Sequence, residues 1–98
     1  MEQIFEWDEE KAQKNLCKHS ISFEDATLVF DDPLALSRQD RIVNGELRWK
    51  IIGMAGSCTL IVVAYTERDE TDGTEIIRII SARLAEPKER RDYERGTL

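Results

Sequence analysis

Residues 75–83 read Glu75-Ile76-Ile77-Arg78-Ile79-Ile80-Ser81-Ala82-Arg83. A strand that is wet on one side alternates apolar and polar residues, whereas isoleucine on both parities marks a strand inside a sheet, covered on both faces. Working back toward the N-terminus, the acidic loop Asp69 to Gly73 separates this strand from another, Thr59 to Glu67. Before that, Leu47, Trp49 and Ile51 alternate along a strand that follows Asn44-Gly45, a dipeptide suited to a tight hairpin turn. Leu34 to Arg38 reads as one more strand. Upstream of it, Asp31-Asp32-Pro33 marks the change of period, because the residue before proline is pushed out of the α region. The segments before that proline are helical. Asp8 is suited to cap a helix over residues 9–18, with Glu9 and Glu10 early, Lys14 and Lys18 late, and Ala12 and Leu16 on one stripe. Ser22 opens a second helix carrying Phe23, Ala26 and Phe30 on one side, and Ile4-Phe5-Glu6-Trp7 alternates as a short strand ahead of both. Downstream, Pro87 suits the first turn of a final helix running through Lys88 to Arg95. The expected fold is α+β: one domain over 1–98, with two N-terminal helices packed on a mostly antiparallel four- to five-stranded sheet, plus a C-terminal helix at its edge or end.

Ninety-eight residues suit a single core and leave no room for a two-domain enzyme. No apolar run approaches the roughly 18 to 20 residues that cross a bilayer, and the N-terminus lacks a signal-like segment, so a cytoplasmic protein with no membrane partner is expected. Cys17 and Cys58 form no metal-binding pair, and a chain with one histidine cannot supply a zinc site of two cysteines and two histidines. Both cysteines are expected to pack as small hydrophobes. With no phosphate-cradling glycine loop and no nucleophile triad, neither a metal nor an organic cofactor is expected.

The formal net charge of −6 argues at first against a nucleic-acid partner. Position changes that argument. Residues 1–40 hold four Lys/Arg against ten Asp/Glu, whereas residues 76–98 hold six against four. Arg78 and Arg83 stand out because an apolar strand seldom carries arginine unless it meets a carboxylate or a phosphate. By parity they point to opposite faces unless a bulge intervenes. Tyr65, Glu67, Arg68, Arg83 and Tyr93 are expected near one end of the sheet, either as a site or as an ordinary ion-pair network. His19, the one imidazole, follows a helix end, where it either caps the helix or carries a proton in chemistry. Trp7 and Trp49 are expected in the core rather than stacked on bases.

RNA cleavage without metal fits these residue types, because the substrate's own 2′-hydroxyl is the nucleophile. The protein supplies only a base, an acid and cations for the phosphoryl charge. Glu67 or His19 is the candidate base. Arg83, with Arg68 or Arg78, is the candidate phosphate holder, and His19, Tyr93 or Tyr65 the candidate acid. The competing readings are a non-catalytic protein- or nucleic-acid-binding module and an inactive homologue of such a ribonuclease.

An ordered series of short motifs sharpens the choice. Phe5-Glu6-Trp7-Asp8, Lys11, Asn15-Leu16, Lys18-His19 and Ile21-Ser22-Phe23-Glu24-Asp25-Ala26 come first. Val29-Phe30-Asp31-Asp32-Pro33-Leu34, Glu46-Leu47-Arg48-Trp49, Val63-Ala64-Tyr65-Thr66-Glu67-Arg68 and Arg78-Ile79-Ile80-Ser81-Ala82-Arg83 follow. Together they resemble the BrnT toxins of type II toxin–antitoxin systems, over nearly the whole chain. The resemblance implies a RelE-like fold and a ribonuclease that arrests translation by cutting RNA, free or on the ribosome. It also implies a BrnA-like antitoxin as partner, with operon DNA met only through that antitoxin. By motif, the Lys18-His19 pair, the Glu67-Arg68 pair, Arg78 and Arg83 fall where the family places candidate active-site groups, with Tyr93 loosely matched. The expected catalytic set is His19, Glu67, Arg68, Arg83 and Tyr93, and Lys18, Arg78 and Tyr65 are expected to bind RNA or phosphate. Leu84-Ala85-Glu86-Pro87 stands where a more basic stretch is expected, and Asp69-Glu70-Thr71-Asp72 lengthens and acidifies a loop.

Overall fold

Asp8 does cap the first helix. In the computed structural model, which describes residues 2–97, its carboxylate accepts the backbone N–H groups of Glu10 and Lys11. This opens α1 (Glu9–His19), which follows the short strand β1 (Gln3–Glu6). The helix closes at Ser20, whose φ of 60° lets its N–H reach the Leu16 carbonyl. Ser22 caps α2 (Phe23–Thr27), and a 3₁₀ turn, Leu28–Asp31, takes the place of the expected continuation of that helix to Phe30. Four strands follow: β2 (Leu36–Val43), β3 (Glu46–Met54), β4 (Leu60–Asp69) and β5 (Glu75–Leu84). Asn44 and Gly45 both take positive φ in the β2–β3 hairpin, as that dipeptide favours. The chain then forms α3 (Pro87–Arg95), where the Glu86 N–H donates to the Glu89 carboxylate, and Gly96 ends the helix in the left-handed conformation.

The sheet has five strands in the order β1-β5-β4-β3-β2. It is mixed rather than uniformly antiparallel, because β1 runs parallel to β5. β4 is the middle strand, and β5 lies one place from the edge with Ile76, Ile77 and Ile79 buried across both of its faces. Beyond Arg78, β1 no longer pairs with β5. There the Asn15 side chain stands in for a strand: its Oδ1 accepts the Ala82 N–H, while its Nδ2 donates to the carbonyls of Ala82 and Ile21. This buried amide fastens α1 to the sheet edge.

One face of the sheet is covered by α1, α2 and the 3₁₀ turn. Ala12, Ile21, Phe23, Ala26 and Val29 pack there against Ile51, Ile61, Val63, Tyr65, Ile77, Ile79 and Ala82. Phe23, with no exposed area, contributes on the order of 2–3 kcal/mol by leaving water. Phe30 bridges Phe5 and Tyr65 with ring centroids 5.2 and 5.0 Å away, and Trp7 meets Phe23 edge-on at 6.0 Å. Trp7 and Trp49 both pack against this core, as expected. Gly53 permits the close approach of the 3₁₀ turn, since a Cβ there would sit 2.7 Å from Val29. The opposite face is covered only at one end, where Tyr93 and Ala85 lie over Ile52, Leu60, Val62 and Met54. So α3 packs across the sheet from the other helices, not at its edge. Asp32 ties the two sides together, accepting from the Tyr93 hydroxyl at 2.7 Å, the Met54 N–H at 2.8 Å and the Leu34 N–H at 2.9 Å. Cys17 and Cys58 are exposed thiols, not the packed hydrophobes expected of them, because each falls outside the apolar stripe of its segment.

Candidate active site

The β5 strand carries a bulge at Ile80: Ile79 pairs with Tyr65, yet Ser81 pairs with the adjacent Ala64. One extra residue reverses the parity of everything beyond it. The bulge therefore turns Arg83 onto the face that Arg78 already occupies, opposite Val62 and Thr66 respectively. This is the face left open beside α3. A second bulge, at Asp40 in β2, does the same for Arg41, which sits opposite Arg48, while Arg38 sits opposite Lys50. Lys50 in turn lies opposite Ala64. The open face thus carries Arg38, Arg41, Arg48, Lys50, Arg78 and Arg83, around small residues that leave room for a ligand.

A cleft of about 280 Å³ lies in this face, lined by Asp40, Arg41, Lys50, Val62, Ala64, Ser81 and Arg83. Arg83 presents its guanidinium as a fork, with both terminal nitrogens 2.8 Å from the two carboxylate oxygens of Glu89. Lys50 is 3.9 Å from the same carboxylate, and Glu86 lies 3.6 Å from Arg83. The Glu89 side chain is only 15% exposed. The hydrogen bonds from Arg83 prevail over the cost of burial and hold the Glu89 carboxyl at about 2. A planar anion is therefore already seated between Arg83 and Lys50, with the bidentate geometry in which guanidinium also grips phosphate.

Ser81 also forms the wall of a neighbouring cleft lined by Lys11, Lys14, Asn15, Lys18, His19 and Ile80. The bulge thus brings His19 and Lys18 to one side of Ser81 and the Arg83 cleft to the other.

The other residues singled out in the sequence lie elsewhere. Tyr65 is in the covered core, where burial, reinforced by Glu67, pushes its hydroxyl up to about 12. Glu67 shares that parity, one residue beyond the last buried position, and burial together with the nearby Glu75 and Asp69 raises its carboxyl above the usual range. Arg68 does face the open side, but it pairs with Glu6 at 2.8 Å and Glu70 at 3.4 Å. Six positions of β4 separate it from the residue opposite Arg83, about 20 Å of strand. Tyr93 donates its hydroxyl to Asp32, whose hydrogen bond is the first cause of its raised pKa. The expected cluster of Tyr65, Glu67, Arg68, Arg83 and Tyr93 at one sheet end is therefore not formed, because parity and strand length scatter its members. Arg38, Arg41, Arg48 and Lys50 were not singled out in the sequence. Their shared face depends on hairpin register and the Asp40 bulge, and only the apolar alternation of Leu47, Trp49 and Ile51 hinted that the residues between them face the other way.

Comparison with known proteins agrees with this architecture. No curated protein matches the sequence. The 1.1 Å crystal structure of the Brucella abortus ribonuclease toxin BrnT is similar to this chain at 27% sequence identity and a TM-score of 0.59, covering 88% of this chain and 99% of that one. The family model for the ribonuclease toxin BrnT of type II toxin–antitoxin systems matches residues 7–89. A match of that extent includes both helices of the covered face, strands β2 to β5 and the start of α3, and the chain belongs to the BrnT toxin family.

Proposed function

We propose that this chain is a metal-independent endoribonuclease of RelE-like architecture that arrests translation, and that a BrnA-like antitoxin neutralises it. The observation that carries this reading is the fork of Arg83 beside Lys50 in an open, cation-lined cleft. Arg83 and Lys50 bind the scissile phosphate and stabilise its charge as the 2′-oxygen attacks. His19, across Ser81, exchanges the proton, and Lys18 and Arg78 hold the flanking backbone. Glu67, Arg68, Tyr65 and Tyr93 act through the fold rather than on the substrate. RNA, free or on the ribosome, is the substrate, and the antitoxin covers the same cations with acidic groups.

The test is induction without antitoxin in a bacterial host, with RNA cleavage by the purified chain measured in chelator, alone and with translating ribosomes. Wild-type protein stops growth and cuts RNA, and Arg83→Ala lowers cleavage by about 10²-fold or more, the usual cost of removing one donor to a developing anion. RNA left intact under every condition sinks the reading.

One observation favours a second reading, an inactive homologue: Glu89 already occupies Arg83. Glu89→Gln decides between them. It raises cleavage in an active toxin whose carboxylate competes with phosphate, and leaves an inactive chain silent.

A further inference from the structure

Two cross-strand pairs on the open face join like charges: Arg38 lies opposite Lys50, and Arg41 opposite Arg48. Like charges directly opposite one another on one sheet face destabilise the pairing. Compensation within the chain is slight. Asp40 approaches Arg41 only at 4.0 Å, Glu89 approaches Lys50 at 3.9 Å, and neither Arg38 nor Arg48 forms an ion pair among the described residues. Arg48 also buries its Nε without a hydrogen-bond partner. Cations on β2 alone would be explained by its position at the sheet edge, where charge discourages pairing with another chain. That account does not reach Arg48 and Lys50, which stand on the internal strand β3.

We infer that the β2–β3 hairpin is an RNA-backbone track, in which Arg38, Arg41 and Arg48 bind phosphates beyond the scissile one and lead the strand into the Arg83–Lys50 cleft. The inference rests on the ribonuclease reading and extends it. A polyanion favours the ladder where the fold does not, because each phosphate supplies the charge missing from the like-charged pairs. RNA is preferred to an acidic protein segment because the ladder is continuous with the cleft through Lys50 and Arg41, which line both. Contacts of this kind carry no sequence information, so the track sets affinity and register rather than cleavage preference.

The experiment is salt-dependent binding of a fluorescent single-stranded RNA 12-mer to the full chain, comparing wild type with Arg38→Gln/Arg48→Gln. Each lost phosphate contact lowers the slope of log affinity against log salt by about 0.7 for a single strand. The double variant should therefore lose about 1.4 in slope and bind roughly tenfold more weakly at low salt. It should melt no lower than wild type, and Arg38→Lys/Arg48→Lys should restore most of the slope. Cleavage of long RNA should show a raised KM with kcat kept, while a dinucleotide substrate is cut as before. An unchanged slope overturns the track but leaves the ribonuclease reading standing if Arg83→Ala still abolishes cleavage. Normal RNA binding with lost affinity for a poly-glutamate peptide also overturns it, and assigns the ladder to an acidic protein partner. Absence of RNA binding by the wild-type chain also overturns the track, while the ribonuclease reading stands or falls on cleavage alone and with translating ribosomes.

Discussion

The two faces of the sheet are built from the same five strands and obey opposite rules. The covered face is apolar beneath α1, α2 and the 3₁₀ turn, which seal it. The open face is apolar beneath α3 and at Ile76 and carries a group of cations between, with like charges opposite one another and an internal carboxylate seated in its best anion site. Stability is concentrated on one side, and the other bears an arrangement that folding alone does not favour. The difference teaches where substitutions should register. Changes on the covered face should move stability, and changes on the open face should move function, sometimes with stability shifting the opposite way.

The strongest challenge to this division is Phe23→Ala, which empties a fully buried site and should cost about 4 kcal/mol in urea unfolding. A loss below about 1 kcal/mol would mean that the covered face is not the principal core. Next comes Asn15→Leu at the edge of that face. It leaves the Ala82 N–H and two carbonyls without their partner, and about 3 kcal/mol should be lost. Amide hydrogen exchange at Ala82 should rise with it.

The third effect belongs to the open face and depends on pH. The Glu89 carboxyl is held at about 2 in the folded chain against an ordinary value of 4.5. A depressed carboxyl stabilises the fold fully above its unfolded value, and that contribution fades as pH falls from about 4.5 toward 2. Acid unfolding of the wild type should accordingly include a loss on the order of 2 kcal/mol across that window, absent from Glu89→Gln. An identical pH dependence in the two proteins would break the link between α3 and the cleft.

The smallest effect has the opposite sign. Arg41→Gln relieves a like-charge pair and should raise stability by about 0.5 kcal/mol in thermal melts while weakening RNA binding. Loss of stability together with unchanged RNA binding would show that the open face is held to the same rule as the covered one.

Much of the fold was legible because local chemistry announces it. Asp8, Ser22 and Pro87 mark helix starts, Asn44-Gly45 marks the hairpin, and the isoleucines of β5 show burial on both sides. The parallel pairing of β1 with β5 was not legible, since four residues carry no mark of which distant strand they join. Nor was the site. The motif series pointed to Arg83, Arg78, Lys18 and His19, which the structure places on or beside one region. The same series also drew in Tyr65 and Tyr93, whose surroundings are the core and the Asp32 latch.

The sequence by itself determined that this is a small α+β chain with a helical first third, a sheet of short strands, and arginines inside an apolar strand. Those properties depend on composition, capping and period, which act over a few residues. Only the tertiary structure decided that Arg78 and Arg83 share a face, that four further cations join them, and that Glu89 sits in the fork. Each of these follows from the register of the ladders, from a single extra residue in them at Ile80 or Asp40, or from a helix crossing the sheet. A one-residue shift in pairing reverses which side every later side chain faces, and such a shift belongs to two paired strands together rather than to either stretch of sequence.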